Sequence, residues 1–199
     1  DIVKWIDPRV MKKLNLESHG LSFYSPNIVR IALDTQGTHI SFFRDSNDTA
    51  ESIANHSDKD AKVWTDFTKY INRCAYFLEK LYELSPPKLP NLGFKEMFSM
   101  SSMLTPLRKY GTRGLVDFMR VAPMTMLDLM DEWFEAEFLR SAISTAGIHH
   151  LSFGPYAAGT GFNLLHQHVH GKGVFHNAHF VKGGTKQLMD AVIISAESA

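Results

Sequence analysis

Between Asp58 and Leu84 apolar residues return at helical steps without a break. Trp64, Phe67, Ile71, Cys74, Leu78 and Leu81 follow intervals of three and four, and Val63, Tyr70, Phe77 and Leu84 add a row seven apart. This spacing predicts one long helix with a wide apolar face. Such a face must be buried, so the rest of the chain has to supply a helical layer or a sheet to cover it. Ser57-Asp58-Lys59-Asp60 has the form of a capping box at its start, with Asp where Glu or Gln is usual. Ser85-Pro86-Pro87 ends it, because the residue before proline avoids helical geometry.

The flanking stretches differ. Residues 1–47 read as β-rich. After a short helix from Arg9 to Leu14, Ile28–Leu33 and Thr38–Arg44 flank the turn signal Asp34-Thr35-Gln36-Gly37, which predicts a hairpin. A lone hairpin cannot hide an apolar face and needs a larger sheet. Residues 49–146 read as helical. Further helices are expected over Phe94–Tyr110 and Leu115–Ala122, then from Thr125 through Trp133 and Phe134. Phe138–Ala146 continues the last one or starts another. Residues 147–199 hold eight of the thirteen glycines and seven of the ten histidines. They read as a small-residue loop at Pro155–Gly161, a strand near Val174–Val181, and a helix from Thr185 to Ser195 behind Gly183-Gly184. The expected fold is α+β, a helical layer on a small, mostly antiparallel sheet, in a single domain over residues 1–199.

Charge and cysteine narrow the function. Lys plus Arg and Asp plus Glu both total 21, so the basic excess of a nucleic-acid binder is missing. The single cysteine, Cys74, allows no intrachain disulfide and suits a reducing, cytoplasmic setting. No GxGxxG, GxxxxGK[ST] or GxSxG occurs, so neither a nucleotide cradle nor a serine elbow is recognisable. Cys74 lies within the helical apolar pattern and reads as core rather than nucleophile.

Three features keep a functional reading beside a structural one. His166, His168 and His170 alternate. On a strand they would share a face, while on a helix only His166 and His170 would be neighbours. Without a Cys pair or HExxH, a polar lining is favoured over metal, and no metal ligand is assigned. Gly183-Gly184 fits a tight turn, or bare backbone at a helix start where an anion or ring could approach. Met97, Met100, Met103, Met119, Met124, Met126 and Met130, with Phe94, Phe98 and Phe118, form either a helix core or a deformable pocket for a large apolar ligand.

The segment Asp131-Glu132-Trp133-Phe134-Glu135-Ala136-Glu137-Phe138-Leu139-Arg140 is joined in order by the Pro155–Gly161 loop, Leu164-Leu165-His166 and Lys182–Leu188 with Asp190-Ala191. Upstream stands Asn55–Ala61. Together these resemble phytoene desaturase-like FAD-dependent oxidoreductases, most nearly the pyridine nucleotide-disulphide oxidoreductase domain-containing type. The resemblance runs from about Pro26 to the end. It implies the substrate domain of a two-domain flavoprotein whose FAD-binding domain lies outside this sequence, in agreement with a start that is not Met. It implies FAD in the longer parent and none on this chain, which alone would be colourless and inactive. An apolar substrate would be positioned for hydride transfer to flavin. The pocket expected from these readings is Met97, Met100, Phe118, Met126, Trp133, Tyr156, His166 and His168, with Gly183 and Gly184 near the flavin. No catalytic residue is assigned. Expected partners are the FAD-binding domain and an apolar small molecule, not nucleic acid, with room for a homodimer and for peripheral membrane contact. A free-standing apolar-ligand module and a His-rich metal protein stay open as alternatives. His168, His170, His176 and His179 depart from the family pattern.

Overall fold

The computed structural model describes residues 2–3, 6–83, 101, 104–171, 175 and 179–198. The chain divides into two compact units, one of residues 1–29 with 177–199, the other of residues 30–176. The fold class is α+β, as the sequence predicts.

The first unit is a small sheet with helices. Strand β5, His179–Val181, pairs antiparallel with β1, Ile2–Val3, on one side and with β2, Phe23–Tyr24, on the other. Helix α1, Pro8–Lys13, starts where expected: Asp7 accepts the Arg9 N–H at 2.8 Å and Pro8 stands in the first turn. Helix α8, Thr185–Glu197, buries Ala191 in a core with Leu16, Leu21 and Val181.

The second unit is built around helix α3, Asp58–Tyr82, the long helix that the periodicity predicts. Its buried face follows the pattern through Trp64, Phe67, Ile71, Cys74 and Leu78, with Tyr70 and Phe77 from the second row, and ends before Leu81, which is 44% exposed. The hairpin is present as β3, Ile28–Leu33, and β4, His39–Phe43. Asp34 organises its turn. One carboxylate oxygen accepts the N–H groups of Gln36 and Thr38, the other the Thr38 hydroxyl, and Gly37 takes φ +84°. These bonds, led by that of Thr38, hold the Asp34 carboxyl below the usual carboxylate range. Helix α2, Ser46–Ala54, packs on β4 and begins at an Asp45 cap, a few residues before the expected helical stretch.

Four further helices of this unit lie among the described residues. Helix α4, Leu104–Val121, bends at Gly111 (φ +66°, ψ −172°), so the one run holds two helical pieces. The expected boundary between helices thus falls at Gly111, while 84–100 lie outside the described residues. Helices α5, Met126–Trp133, and α6, Glu137–Gly147, are separate, because Phe134 leaves helical geometry at φ −132°, ψ 148°. Helix α7, Thr160–His168, settles the strand-or-helix question around His166 in favour of a helix.

The Ser57–Asp60 box is half present. Ser57 caps the Asp60 N–H at 3.1 Å, but the Asp60 carboxylate does not return to Ser57. It reaches 75 residues along the chain instead, accepting the N–H of Glu135 at 2.9 Å and of Ala136 at 2.8 Å. Ala136 is the N-cap of α6 and has no side-chain oxygen to offer. Asp60, only 1% exposed, therefore anchors the entrance of α6 from another helix, satisfying the N–H of the N-cap residue and of the residue before it with a negative charge at the helix start.

Candidate functional site

The C-terminal half of α3 brings several polar and aromatic side chains together. On one flank lies α4. Phe118 stacks on Phe77 with ring centroids 6.1 Å apart and planes 13° apart, and Tyr110 meets Tyr76 edge-on at 5.7 Å. Gly114 permits this approach, since a Cβ there would stand 3.0 Å from the Phe77 ring. Arg73 holds Asp117 at 2.6 Å, and Lys109 lies over the rings of Tyr76 and Tyr110. Next to this flank, Arg120 donates to the Tyr70 hydroxyl at 3.1 Å.

On the other flank the Tyr82 hydroxyl lies 2.8 Å from His166 Nδ1. Burial raises the Tyr82 phenol above its ordinary pKa, so it keeps its proton and can donate to an unprotonated imidazole nitrogen. The His170 N–H donates to Glu79 at 3.3 Å, and its ring nitrogen Nδ1 lies 3.6 Å from the same carboxylate oxygen. His170 has φ +62°. Phe77 and Tyr82 are five residues apart, about 7.5 Å along the helix. The aromatic flank and the histidine flank therefore belong to one helix end. Leu81 and Tyr82 there are 44% and 47% exposed.

The expected pocket residues divide. Phe118 and His166 come to this helix end. Met126 is fully buried, and a Cβ on Gly147 would stand 2.2 Å from its sulfur. Trp133 packs on Phe67 and Tyr70 at 5.4 and 5.2 Å. His168 is buried within α7, its Nδ1 2.7 Å from the Leu164 carbonyl. Tyr156 is 73% exposed on the loop before α7. Met97 and Met100 lie outside the described residues. Tyr82 and Glu79 gave no signal in the sequence, because their partners are more than 80 residues away.

The glycines of the motifs have local reasons. Gly161 docks the start of α7 on the link between α4 and α5. Its N–H donates to Met124 O at 2.9 Å, Thr160 Oγ1 accepts the Met126 N–H at 2.8 Å, and a Cβ on Gly161 would sit 2.4 Å from the Val121 carbonyl oxygen. Gly183 and Gly184 have φ +84° and +82°, and the Gly184 N–H closes a turn on Val181 O at 3.0 Å. Only glycine holds such a pair of angles without strain. Among the described residues no three His, Cys, Asp or Glu side chains converge as metal ligands would. Cys74 is buried, and burial first, then the Asp117 charge, pushes its thiol up to about 12.

No established family profile matches the chain, and no solved structure does. Curated proteins do. The chain is 25% identical over 210 residues to the rat "Pyridine nucleotide-disulfide oxidoreductase domain-containing protein 2", covering 98% of this chain and 36% of that protein. The mouse protein of the same name is 24% identical over the same shares. This is a relation to oxidoreductase domain proteins along nearly the whole chain. The chain spans about a third of the length of these relatives. Among the described residues no helix is long and apolar enough to cross a membrane.

Proposed function

We propose that this chain is the substrate-binding portion of a FAD-dependent oxidoreductase of the phytoene desaturase-like type. One observation carries the reading: the similarity covers 98% of the chain yet 36% of the rat relative, as a piece of a larger redox protein would. FAD, when bound, would accept a hydride from a C–H bond of the substrate. The residues of this chain bind, orient and keep out water. Tyr110 and Phe118, half-buried and packed against the buried Phe77 ring, offer apolar aromatic surface to a greasy substrate. On the other flank of the same helix end, Tyr82 and His166 supply a polar pair able to hold a polar group of the substrate by a hydrogen bond. At the turn into α8 the described residues leave the Gly184 backbone open, with room for a flavin edge to approach it. The backbone there encloses nothing, and the chain has no dinucleotide motif. The remainder of the flavin site therefore falls to residues beyond these 199.

A photoactivatable apolar probe, a diazirine-bearing long-chain alcohol, tests the binding surface in the full-length gene product. The expected labels fall on Tyr82, Tyr110 and Phe118, and Phe118→Ala lowers labelling there several-fold. Labelling spread evenly over the chain and unchanged by Phe118→Ala contradicts the reading.

A further inference from the structure

The two edges of the β3–β4 hairpin are treated differently. The outer edge of β4 is closed: the Ser41 N–H donates to Ser52 Oγ at 2.9 Å, and the Phe43 N–H to Thr49 Oγ1 at 2.8 Å, both from α2. The edge of β3 has no such cover among the described residues. The Asp34 N–H donates to Thr38 O at 3.0 Å, which sets residue 34 opposite 38. By antiparallel alternation Ala32 then bonds toward β4, while the N–H and C=O of Ile31 and Leu33 point away from it.

They point into a groove of about 980 Å³. Arg30 through Thr35 line one wall consecutively, and Glu137, Phe138, Ser141, Ala142 and Thr145 of α6 line the other. Consecutive residues send side chains to both faces of a strand, so it is the edge of β3 that borders the groove. Ile31 and Leu33 are 51% and 75% exposed. A free edge with exposed aliphatic residues and no proline or bulge is what natural sheets cover.

The ends of the groove are charged oppositely. Arg30 stacks 4.6 Å over Phe175 and donates to Thr145 Oγ1 at 3.0 Å, and no carboxylate pairs with it among the described residues. Its half-burial lowers its pKa, the mark of a desolvated cation without a counter-charge. Glu137 stands eight residues before Thr145 on α6, about 12 Å away along the helix.

We infer that this groove receives an extended segment of the longer polypeptide, from outside these 199 residues, which adds as a strand to the free edge of β3. Backbone bonds go to Ile31 and Leu33. An acidic side chain of the segment meets Arg30, and a basic one, about four residues along the strand, meets Glu137. The length outside this region is ample, since the chain covers 36% of the rat relative. The inference shares with the proposed function the premise of a longer polypeptide, but it needs neither flavin nor substrate.

Amide hydrogen exchange, read residue by residue on this chain and on the full-length gene product, tests it. The Ile31 and Leu33 amides exchange rapidly in this chain and on the order of 100-fold more slowly in the full-length protein. Ala32 is protected in both. In the full-length protein Leu33→Pro removes the protection of Ile31 but not of Ala32, and Arg30→Glu weakens it. Equal exchange in the two proteins overturns the inference. So does protection of this chain that grows with its concentration, which would name a second copy as the occupant, or a gene product that ends at these 199 residues. Loss of flavin binding with β3 protection intact would strike the proposed function alone.

Discussion

Asp60 allows the sharpest energetic test. Its carboxylate is 1% exposed and accepts the N–H groups of Glu135 and Ala136 at 2.9 and 2.8 Å. A hydrogen bond to a charged group contributes about 1.5–3 kcal/mol, so two give about 3–6 kcal/mol. Both donors lie at the edge of the protein, where water regains part of this once the carboxylate is gone. The low end applies: about 3 kcal/mol for Asp60→Ala. Asp60→Asn keeps one acceptor oxygen and turns an NH₂ group on the second donor, for a loss of about 1.5–2 kcal/mol. At 2–4 °C per kcal/mol for a chain of this size, Tm falls by roughly 6–12 °C and 3–8 °C. Trp64 and Trp133, each in ring contact with Phe67, report the transition by fluorescence in urea or on heating. If both variants lie within about 0.5 kcal/mol of the parent, or if Asn is as damaging as Ala, the cross-helix anchor is refuted.

Other outcomes follow from single contacts. Gly161→Ala forces a methyl group to 2.4 Å from the Val121 carbonyl oxygen, a backbone atom that cannot swing aside. The expected loss is about 2–4 kcal/mol by denaturation, and a neutral substitution would contradict the docking of α7. Cys74, with its thiol pushed up to about 12, stays unreactive toward a disulfide reagent at pH 8 until the protein unfolds. A raised folded pKa gives stability that is complete below the unfolded thiol value and is lost as pH rises through about 12, so alkaline titration of stability should show a fall that Cys74→Ala lacks. Thr38→Val removes the largest of the bonds that lower the Asp34 carboxyl, and its pKa, followed by NMR, moves up toward the ordinary range.

Local patterns were legible and distant partners were not. The steps of three and four from Trp64 to Leu78 name the buried face of α3, because one helix period suffices to write it. Asp34 and Gly37 specify their turn within five residues. Ser57 identifies a helix start, but the carboxylate of Asp60 serves a backbone 75 residues away, and no local signal carries that. The alternation His166, His168, His170 suggests a strand, yet buried Leu164 and Leu165 and the docking of Gly161 make it a helix and send His168 inward. The pairing of Tyr82 with His166 depends on how α7 lies along α3, which no spacing in the sequence encodes. Likewise, that the β3 edge has no cover among the described residues is visible only once α2 is seen closing the opposite edge.

Flavin content measured on two proteins of equal purity, the full-length gene product and residues 1–199 alone, bears most directly on the claim that these residues shape a substrate site and leave the redox group to others. About one FAD per chain in the former and none in the latter is the expected result. Stoichiometric flavin on residues 1–199, or a full-length protein that holds none, would contradict it.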